Sequence, residues 1–169
     1  MIPAICLLGF LGSILLLNFA DKVNPANRYL GYHFFLNALF GLAHWASVVS
    51  DSEILRAIFT IHYFPIYLLN TPFLYFYVRA VLTEKIRIRG WDYIHFIPFI
   101  LILLNVLPYC LQSWTFKLNF AYHLHQDFNT IYQIHFPLVS FPVYFVSRSV
   151  LSLFYIFLSA KIVFSANRL

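Results

Sequence analysis

Charge is what this sequence has least of. Lys, Arg, Asp and Glu make up 10% of its 169 residues, against about a quarter in an ordinary soluble domain. With 62% hydrophobic residues and a mean hydropathy of +0.77, no water-soluble fold of this size hides so much apolar surface, and the bilayer is read as its solvent. A hydrophilic stretch long enough for a second domain is also missing, so residues 1–169 read as one membrane domain. Nucleophile motifs, phosphate loops and paired carboxylates are absent, which leaves enzyme activity without support and no cofactor expected. Cysteine is scarce: Cys6 and Cys110 both lie in apolar sequence and are expected to be free thiols behaving as small apolar side chains.

What is present is a succession of apolar segments, and an all-α bundle of about five transmembrane helices follows, with spans near 2–20, 28–50, 56–82, 93–111 and 142–164. The first has no basic flank before it and Lys22 and Arg28 after it, the reverse of a cleaved signal peptide, and is read as a retained helix. In the second, Asn37, Gly41 and His44 share a face expected to look inward. The third is longer than one straight crossing needs and contains Pro65 and Pro72. A bend is expected at Asn70-Thr71-Pro72, with Asp51 or Ser52 capping the start. Trp91 and Tyr93 suit an interfacial belt ahead of the fourth span. Residues 113–135 read as a polar, aromatic connection on the far side.

Positive charge is unevenly divided. Lys22, Arg28, Arg79, Lys85, Arg87, Arg89, Lys161 and Arg168 fall to one side of this threading, Arg56 and Lys117 to the other, and Arg148 within the last span. The excess marks the cytoplasmic side, giving N-out and C-in, with Arg79, Lys85, Arg87 and Arg89 as the inner basic loop. The formal charge of +5 therefore serves orientation and the anionic inner leaflet rather than nucleic acid.

Among residues that carry chemistry, His123-Leu124-His125 resembles half a metal site, but no third ligand has suitable spacing and a solvated loop is the default. His44, His62 and His95 lie in or near spans and are expected to face the bundle or an interface. Arg148 is costly inside a span; Asp51 and Glu53 are candidate partners, and snorkelling is the alternative. The 20 Phe, 12 Tyr and 3 Trp line either a pocket for a small or lipophilic ligand or the lipid-facing surface. Asn70, Thr71 and Pro72 are read as a signalling bend, with a static kink as the alternative.

Three stretches, ANRYLGYHFF (26–35), TPFLYFYVRAVL (71–82) and DYIHFIPFI (92–100), are similar to the N-terminal membrane region of bacterial AraC-type transcriptional regulators. Thr71-Pro72 stands where family members often have Gly-Pro. The resemblance implies a sensory or anchoring input domain in the bacterial inner membrane, in contact with lipid, reaching DNA only through a downstream helix-turn-helix domain that these residues do not contain. The chain is then expected to be either a truncated membrane part or a stand-alone relative, and a homodimer is an assembly it admits. The competing reading is a small membrane transporter or channel-like protein, which calls for polar groups converging at the midplane and for inverted repeats; a membrane enzyme subunit is the third.

Overall fold

A computed structural model describes residues 1–166; Arg168 lies outside them. The described residues are helical with no strand. In chain order the helices are α1 (Ile2–Val23), α2 (Asn27–Val48), α3 (Glu53–Phe59), α4 (Phe64–Tyr67), α5 (Asn70–Thr83), α6 (Ile97–Cys110), α7 (Trp114–Gln126) and α8 (Phe141–Ala166), with 3-10 turns at Gly90–Phe96 and Phe128–Gln133. Residues 113–135, expected as a connection, are thus largely helix, started by the Ser113 hydroxyl accepting the Phe116 N–H (3.2 Å).

Three stretches are long and apolar enough to cross a membrane: Ile2–Ala20, Gly90–Cys110 and Phe141–Ala166. Only 6% of the apolar window of α8 is buried, so its outer face is left for lipid or another apolar surface to cover. The other two expected spans do not reach this standard. Helix α2 is long enough, but Tyr29, Tyr32, His33, Asn37 and His44 dilute its hydropathy. The third segment is divided into helices of 7, 4 and 14 residues, the longest of which rises about 21 Å, short of a hydrocarbon core of about 30 Å.

The first two helices form a close antiparallel pair. A Cβ added at Gly9 would lie 2.9 Å from the Ala38 Cβ, and one at Gly31 2.9 Å from Leu17. Buried Ser13 donates to the Gly31 carbonyl at 2.8 Å. Small residues bring the backbones together, the pattern by which helices associate where lipid offers no hydrophobic drive. Gly41 belongs to this seam, 3.0 Å from Cys6 Sγ at its would-be Cβ, whereas Asn37 pairs with α5 and His44 lines a cavity. The face expected to act as one is therefore shared between neighbours.

From this pair the bundle continues through α2 against α5 and α5 against α8, while α3 packs on α7 and α4 on α6. The core is centred on Ile61, Phe64, Ile102, Val106, Phe120 and Tyr144. Asn105, buried in α6, holds the approach to α8: its amide donates to the Val139 carbonyl (2.8 Å) and its oxygen accepts from the Leu138 and Val139 N–H groups (2.8 and 3.0 Å). The molecule has two unlike ends. At one, α2 finishes and α8 begins beside α7; at the other, α5 runs into the loop that carries Lys85, Arg87 and Arg89.

Candidate functional site

The third segment ties the two ends together. Ser52 caps α3, accepting the Leu55 N–H at 3.4 Å. The helix stops at Phe59, resumes as the single turn of α4, and pauses again at Leu68–Leu69 before α5. Pro65 and Pro72 account for both interruptions, because a proline at position i offers no N–H to the carbonyl at i−4; for Pro72 that carbonyl is Leu68. The break therefore lies just upstream of Asn70-Thr71-Pro72, and these three residues form the first turn of α5. The Phe64 carbonyl, beside the first interruption, accepts the Tyr144 hydroxyl from α8 at 3.0 Å, a side-chain repair that ties α8 to the broken segment.

Around that repair lies a cavity of about 620 Å³, walled by the last turns of α2, the α3–α4 break, α7 and the first turns of α8. Aromatic rings recur in its walls: Phe64 stacks on Tyr144 with ring centroids 4.8 Å apart, and Phe40 meets Tyr63 edge-on at 5.9 Å. His44, Ser47, His125 and Arg148 bring polar atoms to the lining, and no Asp or Glu does. The Ser47 hydroxyl is buried without a hydrogen-bond partner among the described residues.

Arg148 sits seven residues into α8, about 10 Å along the helix axis. Its guanidinium carbon is 4.6 Å from the Tyr67 ring centroid and 4.7 Å from that of Phe145, and among the described residues it makes no ion pair. Asp51 and Glu53, the partners expected from the sequence, do not reach it; the Asp51 carbonyl instead accepts from Arg56 at 3.4 Å. Aromatic faces take the place of an acid, each contact worth about 0.5–2 kcal/mol.

Midway along, Asn70 joins α5 to α2 by a reciprocal amide pair, its Nδ2 donating to Asn37 Oδ1 (2.9 Å) and its Oδ1 accepting from Asn37 Nδ2 (3.1 Å). His33 Nδ1 donates to the Asn70 carbonyl (3.0 Å), leaving Nε2 to accept from Asn37 (3.1 Å), a tautomer assigned from the network. Thr71 and Pro72 lie beside this junction, Pro72 buried.

At the far end the four residues expected as an inner basic loop, Arg79, Lys85, Arg87 and Arg89, separate into two kinds. Arg79 belongs to α5, is only 8% exposed and forms an ion pair with Asp92, with its guanidinium 5.0 Å from the Phe76 ring. The second Asp92 oxygen accepts the Arg89 N–H at 3.0 Å, and the Tyr29 hydroxyl donates to the Ile86 carbonyl. Lys85, Arg87 and Arg89 are exposed around an open cleft of about 690 Å³ that Arg79, Glu84 and Asp92 also line. His95 and Tyr155, 2.8 Å apart, join this end to α8.

Several residues outside the sequence-based candidates prove central: Asp92, Tyr144 and Asn105 had no signal beyond being polar in apolar surroundings. His123 and His125 fall on α7, where a spacing of two puts them on different faces, and no group of three metal-ligating side chains occurs among the described residues. No protein-family model, curated protein or solved structure matches this chain.

Proposed function

We propose that the chain is the sensory and anchoring input of an AraC-type transcription regulator, embedded in the bacterial inner membrane. In this reading α1, α2, the α3–α5 segment, the Gly90–Cys110 segment and α8 make five crossings, N-out and C-in, and a downstream domain contacts DNA from the cytoplasm. The observation that carries it is the path of the third segment. Its first part walls the cavity through Thr60, Tyr63 and Phe64, its prolines divide it, and its last part holds the basic end through Arg79. Occupancy of the cavity then biases the angle at Leu68–Leu69 and, through α5, the residues around Lys85 to Arg89.

Reporter fusions after Arg89 and after Ala166 are expected to report cytoplasm, and one after Trp114 the outside; Trp114 and Arg89 on the same side would remove the fourth crossing and the orientation with it. A transporter is the second reading, favoured by the polar His33, Asn37 and Asn70 network between α2 and α5. Solute flux in proteoliposomes abolished by Asn37→Ala or Asn70→Ala would establish that reading instead.

A further inference from the structure

We infer that the cavity beside Arg148 takes a compact organic monoanion with an apolar body, an aromatic or alicyclic carboxylate, and that Arg148 receives its carboxylate. The inference rests on the sensory reading only in placing the signal at this cavity; binding itself requires no signalling. The charge, lining and volume of the cavity converge on this class.

The lining holds one fixed positive charge and no acidic side chain, and Arg148 has no carboxylate within 4.0 Å among the described residues. A charge this far along a membrane helix is costly without a counter-ion, so a bound anion gains what the fold has left unpaired. The Tyr67 and Phe145 rings at 4.6 and 4.7 Å hold the guanidinium through its charge, an attraction that uses none of its N–H donors. The neighbouring Tyr144 hydroxyl donates its proton to the Phe64 carbonyl, and its oxygen takes one hydrogen bond from the guanidinium. That engages one of the five guanidinium N–H donors, and those left over can still hold a planar carboxylate in bidentate fashion.

The rest of the lining defines the body of the ligand. A volume of about 620 Å³ lies within the range of small-molecule sites, and the walls are apolar with a few convergent polar groups, as such sites are. Phe40, Phe64, Phe141 and Tyr144 offer ring faces and edges to an aromatic or alicyclic skeleton. The single fixed cation disfavours a phosphate dianion, and the lack of an acid leaves nothing to pair with the ammonium of a zwitterionic amino acid. Anionic lipid offers related charge chemistry from the bilayer itself, and the test separates the two sources.

The full chain in phosphatidylcholine nanodiscs is titrated with anthracene-9-carboxylate and with its neutral analogue anthracene-9-methanol, with empty nanodiscs subtracted. The wild type is expected to bind the acid saturably at one site, about tenfold or more tighter than the alcohol, the scale of a charge-assisted hydrogen bond. Arg148→Gln removes that preference while alcohol binding persists, which shows the cavity intact; Arg148→Lys keeps part of it; Ser47→Leu, filling the wall, weakens both probes. Equal binding of acid and alcohol by the wild type, an unchanged acid affinity in Arg148→Gln, or acid binding abolished by exchanging the lipid for phosphatidylglycerol would overturn the inference, the last assigning the site to lipid. In a Cys6→Ala, Cys110→Ala background, an environment-sensitive dye at Lys85→Cys reports the basic end. Acid that binds with the stated preference yet leaves the dye silent fails the sensory reading alone.

Discussion

Arg79 and Arg148 are the same side chain under the same penalty, resolved in two ways. Arg79 has Asp92; Arg148 has two rings and a cavity. Removing Asp92 is therefore the more damaging change: Asp92→Asn leaves a buried guanidinium without its acid and is expected to destabilise the protein by about 1–3 kcal/mol. The double variant Arg79→Met with Asp92→Asn should recover most of that loss, because an ion pair replaced as a pair costs little. Thermal unfolding in detergent measures both; a double variant no more stable than Asp92→Asn alone would mean Arg79 contributes chiefly by packing. For Asn37 and Asn70, a double-mutant cycle to alanine is expected to give a coupling near 0.6 and at most about 1.7 kcal/mol, the scale found for polar contacts between membrane helices. Hydropathy alone singles out Arg148, since a charge in an apolar run is conspicuous. It says nothing of what surrounds that charge, because Tyr67 lies in another helix and the break that aims it is a tertiary matter. Asn105 is less conspicuous still, as its three backbone partners lie over thirty residues away.

Among elements, the third segment departs furthest from a regular helix. Its two prolines announce interruption, and the ring's effect on the i−4 carbonyl places the break at Leu68–Leu69 rather than at Asn70 to Pro72. Pro72→Ala restores an N–H within reach of the Leu68 carbonyl and is expected to fuse α4 with α5. Spin labels at Ile66 in α4 and Val81 in α5 should then move apart toward the ~22 Å that 15 residues of straight helix span; an unchanged distance would show that the Asn70 network, not the proline, holds the angle. At the other end of α5, Glu84 stops the helix with φ of 58°. Glycine pays no Cβ penalty in that conformation, so Glu84→Gly is expected to stabilise by about 1 kcal/mol in the same unfolding measurement. The apolar helices α1, α6 and α8 are legible because length and hydropathy suffice for them. Helix α7 was not, since its mixture of Lys, His, Asn and aromatic residues has no sustained apolar face and its amphipathic partner surface comes from α3 and the core.

The molecule as a whole is built in unequal parts. α1 has its extensive packing against α2 alone, through Gly9, Ser13 and Cys6, while the cavity draws on α2, the α3–α4 break, α7 and α8. That division gives the chain an order of manufacture. The first 48 residues leave the ribosome as a complete helical hairpin, with its own seam satisfied and without waiting for anything that follows. Phe40 travels with that hairpin, but Arg148 arrives about a hundred residues later, so a nascent chain carries one wall of the cavity long before the charge that completes it. Under the proposed reading, binding of an anion is thereby reserved for finished molecules, and a chain stalled before α8 carries an open half-cavity that has no fixed charge to offer.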